Sequence, residues 1–151
     1  MKSYDFKHDL NVNVKKLNKD AVLPCYTNDF AAGADLYSCE SRTIPAGKIV
    51  TVSLGFAIEI PVGYEGQVRS RSGLARNHGI FVLNAPGTID CDFRGEMMAI
   101  LMNTSTDDYL VKKGDRVAQL IISPVLSVNF QESDELSQTT RGKKGFGSSG
   151  K

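Results

Sequence analysis

The sequence predicts an all-β domain of many short strands, with one short helix and a flexible, glycine-rich C-terminal arm. Two observations carry this. Apolar segments are short, rich in β-branched residues and interrupted by glycine or proline, at 48–54, 55–60, 66–69, 97–103 and 117–122, the pattern of a compact fold of many short strands. Only one stretch has helix signals at both ends: Ser72 is placed as an N-cap and Gly79 as the residue past the end, enclosing about two turns.

Taken in order, residues 1–20 alternate charges with isolated apolar side chains and suggest only a strand at an interface. Asp35, in AAGADLYS, follows small residues that allow close backbone approach, and its carboxylate can hold the waters of a magnesium ion. IPAG at 44–47 and VKKGD at 111–115 are turn signals ahead of strands. Arg69 and Arg71 precede the helix start, which is either an anion site, with free N–H groups between two cations, or a solvated connector.

GTIDCDFRG at 87–95 carries Asp90 and Asp92 two apart, with Pro86 and glycines around them. On a strand both carboxylates share a face; otherwise one belongs to a turn. The flanking residues favour a tight hairpin, whose open edge exposes backbone groups able to read a nucleobase, with Phe93 placed to stack on a flat face or a sugar. A surface turn with an Asp/Arg pair is the plainer alternative. After Pro124 the chain turns polar, giving a domain over 1–130, a linker over 131–140 and a terminal arm over 141–151. That arm, RGKKGFGSSGK, has four glycines, four basic residues and no acid. It suits either a mobile lid over a phosphorylated ligand or a disordered terminus.

Composition narrows the function. Eighteen basic and 17 acidic residues leave a net charge of +1, so no global field draws the chain to nucleic acid or to an anionic membrane. No apolar run approaches membrane length and the first residues lack a leader's apolar region. Three widely spaced cysteines without a CxxC pair argue against structural zinc and a disulfide framework, so a reducing, cytoplasmic setting is expected. The two histidines, His8 and His78, do not support a Ser/His/Asp triad, and GxSxG is absent. S-x-x-K at 148–151 sits on an arm too mobile to hold a nucleophile. The GxGxxG spacing at Gly145, Gly147 and Gly150 is followed by Lys151 alone, leaving no helix to receive a phosphate.

Five ordered motifs then resemble those of the trimeric deoxyuridine triphosphatases (dUTPases): AGADL at 32–36, RSGLA at 71–75, GTIDCDFRG at 87–95, GDRVAQLI at 114–121 and RGKKGFGSSG at 141–150. The resemblance implies a distorted β-barrel or jelly-roll subunit, assembled as a homotrimer with sites at the subunit interfaces. It implies hydrolysis of dUTP to dUMP and pyrophosphate with Mg²⁺ as cofactor, keeping uracil out of DNA and supplying dUMP for thymidylate synthesis. Asp90 would activate the water that attacks the α-phosphorus. The uracil would be read by Asn84 and the backbone of residues 84–90, including Gly87, Thr88 and Ile89, while Phe93 would lie under the deoxyribose. Met98 belongs to the same substrate-binding set. Ser72, Gly73 and Gln119 would contact phosphates, and Arg71 and Arg141 the distal phosphate end. Phe146 would cover the uracil, with Gly147 and Ser148 beside it on the lid, and Asp35 would act on magnesium through water.

Phe93 stands where the family usually has tyrosine, which keeps the ring but removes the hydroxyl. Ala34 and Thr88 also depart from the usual pattern and are read as packing changes. The alternatives are a dCTP deaminase-like enzyme and a regulatory binding protein on the same scaffold. The complete GxID segment and the intact RGxxGFGS arm count against the first; Asp90 and the arm count against the second.

Overall fold

The structure, a computed structural model, describes residues 10–145. Its elements are β1 (Asn13–Lys16), β2 (Ala34–Tyr37), β3 (Arg42–Ile44), β4 (Ile49–Ser53), β5 (Phe56–Glu59), β6 (Tyr64–Arg69), α1 (Ser72–His78), β7 (Ile80–Val82), β8 (Gly87–Ile89), β9 (Met98–Asn103), β10 (Tyr109–Val111) and β11 (Arg116–Pro124). All strand pairings are antiparallel. They form a four-stranded sheet β2-β11-β6-β8, a three-stranded sheet β4-β9-β7, and the pairs β1-β5 and β10-β3. The fold is all-β and jelly-roll-like, as the sequence predicts.

One core sits among these sheets. Leu36, Ile44, Val52, Phe56, Ile80, Leu101 and Val111 are wholly buried, each such side chain stabilising the fold by roughly 1.5–3 kcal/mol relative to exposure. β9 has the clearest alternation: Ala99, Leu101 and Asn103 face inward, and Met98 outward. The buried Asn103 amide is satisfied, its Nδ2 donating to Ile44 O at 2.9 Å and Asp107 O at 2.8 Å while its Oδ1 accepts from Ser105.

Two local expectations are corrected. Ser72 is the first helical residue, not the cap: Arg71 takes the extended cap conformation (φ −87°, ψ 124°), and its carbonyl accepts the first helical bond, from Ala75 N at 3.1 Å. Gly79 does close the helix, at φ 68°, with its N–H on the Ala75 and Leu74 carbonyls. The segment around Pro86 is not a paired hairpin, because β7 pairs with β9 and β8 with β6, so the turn carries the chain from one sheet to another. It contains a cis Ala85-Pro86 bond. The N-terminal strand β1 pairs with β5, Val14 standing opposite Ile58.

β11 contains an irregularity. Arg116 pairs with Tyr37 and Ala118 with Leu36, so Val117 is an extra residue on that strand. This is a β-bulge, and Val117 and Ala118 are both buried as a result. Beyond Pro124, residues 125–145 run without regular structure and are exposed. Among the described residues no helix is long and apolar enough to cross a membrane.

Candidate active site

The sequence-predicted residues separate into two groups. The first gathers around Asp35 on β2, directly opposite Gln119 on β11. The Asp35 carboxylate is almost fully buried and accepts four hydrogen bonds. Oδ1 receives Arg71 Nε at 3.1 Å and Gln119 Nε2 at 3.3 Å. Oδ2 receives Arg116 Nη1 at 3.1 Å and Thr27 Oγ1 at 3.3 Å. Burial alone pushes this carboxyl up, but the Gln119 and Arg116 bonds and the charges of Arg71 and Arg116 outweigh it. They hold Asp35 below the ordinary aspartate range, and therefore ionised at neutral pH.

Arg71 also donates from Nη1 to the Arg116 carbonyl at 3.1 Å, which fixes its guanidinium at the start of α1. Ser72 and Gly73 follow it on the exposed first turn. A methyl at Gly73 would meet nothing within 4 Å, so this turn is open to approach.

The second group lines a cavity of about 250 Å³ at the end of β8, formed by Asn84, Gly87, Thr88, Ile89, Phe93 and Met98 together with Thr51, Val68, Glu96, Met97 and Ile100. Two glycines shape it. A Cβ at Gly87 would stand 3.0 Å from Asn84 Nδ2, so the Asn84 amide lies over that backbone. A Cβ at Gly95 would stand 2.6 Å from Phe93 Cζ, so the Phe93 ring folds back onto Gly95. Glu96 is held at the cavity by the Ser53 hydroxyl and by Gly55 N at 3.2 Å. Asp90 follows β8; its side chain is exposed and makes no hydrogen bond among the described residues, while its carbonyl accepts Phe93 N at 3.1 Å.

None of Asp35, Arg71, Arg116 and Gln119 lines that cavity. Strand pairing explains why. Asp35, Gln119 and Arg69 stand in one row across the sheet; Leu120, Val68 and Gly87 stand in the next. Successive rows point to opposite faces, so the polar cluster and the Val68 wall of the cavity lie on opposite sides of the sheet.

Arg141 joins neither group. It is exposed and folds onto its own arm, with Nε on Lys144 O at 2.9 Å. Phe146, Gly147 and Ser148 lie outside the described residues. Sequence reasoning missed Arg116, Thr27, Thr51, Val68, Glu96, Met97 and Ile100 as site residues. Arg116 lies within the quoted GDRVAQLI motif, but its spacing of three from Gln119 puts it on the other face of a regular strand.

No group of three or more His, Cys, Asp or Glu able to hold a metal ion occurs among the described residues. Asp35 already accepts from four donors, so the cluster forms no protein cage, and this carboxylate would meet a divalent cation only through the ion's waters.

Comparison with known proteins supplies the lineage. The dUTPase family model matches residues 19–150. The chain is similar to the deoxyuridine 5'-triphosphate nucleotidohydrolase of Nautilia profundicola, 49% identical over 142 residues, covering 94% of this chain and 100% of that one. The Clostridioides difficile enzyme of the same name is 48% identical over 140 residues, covering 93% and 98%. Among solved structures, the Staphylococcus bacteriophage 80alpha dUTPase with dUpNHpp superposes with a TM-score of 0.86 at 27% identity, covering 93% of this chain and 98% of that one. With one family profile spanning both residue groups, and relatives matched nearly end to end, the chain belongs to the dUTPase family.

Proposed function

We propose that the chain hydrolyses dUTP to dUMP and pyrophosphate, with the cavity at the end of β8 receiving the deoxyuridine and the Asp35 cluster ordering the groups that meet the phosphates. The observation that carries the reading is the cavity. Asn84, Gly87, Thr88, Ile89, Phe93 and Met98 line one space of about 250 Å³, and its Asn84 amide and exposed backbone match the edge of a uracil. Phe93 is 39% exposed and offers a ring face to the sugar.

In this reading a water oxygen bonds to the α-phosphorus, and the bond from that phosphorus to the bridging oxygen breaks. The pair stays with pyrophosphate, and the water's proton passes to Asp90, whose exposed carboxylate is free to take it. General-base help is typically worth roughly 10² to 10⁴ in rate. Most of the acceleration therefore falls to charge and positioning: Arg71 and Arg141 at the distal phosphate, with Ser72, Gly73 and Gln119 along the chain. Mg²⁺, when bound, supplies further positive charge on the phosphate oxygens. Asp35 reaches its waters only if one of the present donors turns away.

The separation of the Asp35 cluster from the cavity, with Asp35 and the Val68 wall on opposite faces of one sheet, supports a site completed by more than one chain, here a homotrimer. So does the exposure of Leu126 (86%), Phe130 (91%) and Leu136 (89%) on the segment after β11, apolar surface that a single subunit leaves in water. The arm beyond Thr140 acts as the lid, with Phe146 covering the base and Gly147 and Ser148 among its substrate-binding residues. The test is pyrophosphate release from dUTP, dTTP, dCTP and UTP with Mg²⁺. Turnover confined to dUTP is expected. Ammonia from dCTP, or turnover of none of the four, overturns the reading.

A further inference from the structure

We propose that Arg116 is a positioning residue for the phosphate end of the site, acting through Asp35 on Arg71 and Gln119; the inference rests on the dUTP reading above. Three features of the structure converge on it. The Val117 bulge brings Arg116, otherwise on the far face of β11, to the face shared by Gln119 and Asp35. Once there, its Nη1 bonds Asp35 Oδ2 at 3.1 Å, while Arg71 Nε and Gln119 Nε2 hold Oδ1. Its backbone carbonyl, in turn, anchors Arg71 Nη1 at 3.1 Å.

Arg116 thus holds Asp35 through its side chain and Arg71 through its backbone. Its charge has a second consequence. One carboxylate shared by two guanidiniums leaves the cluster with an excess positive charge. Asp35 can then order both phosphate donors while the cluster keeps a net positive charge toward an incoming triphosphate. Without Arg116, the pair Asp35 and Arg71 is neutral, and Asp35 loses the donor that fixes Oδ2 from the β11 side.

The experiment compares wild type, Arg116→Met and Arg116→Lys by calorimetric titration with two probes in the presence of Mg²⁺: the α,β-imido analogue of dUTP, and dUMP. Arg116→Met should bind the imido analogue at least about tenfold more weakly, the scale of losing one hydrogen bond to a charged group. It should bind dUMP within about twofold of wild type, because dUMP lacks the distal phosphate that Arg71 meets and the nucleoside cavity shares no residue with the cluster. Arg116→Lys keeps the charge and a donor, and should recover part of the loss. Merely structural damage would instead lower the active fraction or weaken both probes together. Imido-analogue affinity within about twofold of wild type, or a parallel loss for dUMP, overturns the inference. If Arg116→Met does not fold, Arg116→Gln takes its place in the same comparison. Wild-type protein that binds neither probe sinks the dUTP reading itself, before any variant is compared.

Discussion

Replacing Asp35 with asparagine keeps the shape of the side chain and removes its charge. Of the four bonds the carboxylate accepts, an asparagine carbonyl can keep those to one oxygen position. The other position becomes an NH₂ facing a donor. At least one bond to a guanidinium is lost, and the two arginines lose their shared counter-charge. A hydrogen bond to a charged group contributes about 1.5–3 kcal/mol, and opening a buried ion pair costs about 3–5 kcal/mol. The Arg71 and Arg116 side chains are 23% and 43% exposed and can turn toward water, which favours the lower part of that range. The expected loss is about 2–3 kcal/mol, or roughly 4–12 °C in Tm for a chain of this size.

Thermal unfolding at pH 7 measures it, with Asp134→Asn on the exposed segment after β11 as a control that changes the same charge and should move stability by less than about 0.5 kcal/mol. The native Asp35 pKa lies below its ordinary value of 3.8, so its stabilisation is present above that value and lost as pH falls through the native one. The gap between wild type and Asp35→Asn should therefore narrow below about pH 4. An Asp35→Asn protein melting within about 1 °C of wild type at pH 7 would refute the claim that this cluster holds β2, β11 and the helix start together.

Asp90→Asn should retain most of its affinity for the imido analogue of dUTP while single-turnover hydrolysis falls by roughly 10² to 10⁴; near-normal turnover sinks Asp90 as the base. Ending the chain after Thr140 should leave the melting temperature nearly unchanged and lower kcat/KM for dUTP, and a truncated protein with full activity removes the lid. Gly95→Ala places a methyl where the Phe93 ring lies, 2.6 Å from Cζ. Because that ring is partly exposed and can swing out, stability should change by less than about 1 kcal/mol, whereas dUMP affinity measured by titration should drop. Unchanged dUMP binding would separate Phe93 from the sugar.

Strands with a continuous apolar signature were legible from the sequence, and observed β4, β5, β6, β9 and β11 fall within a few residues of the predicted segments. β3 and β10 span three residues each, too few for a period to register, and they are defined by pairing with each other. β2 is buried at Ala34, Asp35 and Leu36, so no alternation marks it. Ser72 has the chemistry of a cap, yet the first helical bond goes to the Arg71 carbonyl, whose residue is already tied by its side chain to Asp35. Six of the cavity residues, Asn84, Gly87, Thr88, Ile89, Phe93 and Met98, could be named in advance because they lie in or beside one short motif, whereas Thr51 and Val68 come from distant strands that the motif does not announce. The Asp35 cluster could be named only in part, since Arg116 and Thr27 join it through a bulge and a loop that residue types do not announce.

The extra residue in β11 makes the count of amino acids between Arg116 and Gln119 as consequential as their identities. Insertions and deletions are normally tolerated in loops and rejected inside strands because they disturb packing. Here a deletion of Val117 would leave every chemical group of the cluster in the sequence, yet send the guanidinium to the opposite side of the sheet. Two chains alike at every functional residue could thus differ in function by a gap of a single position.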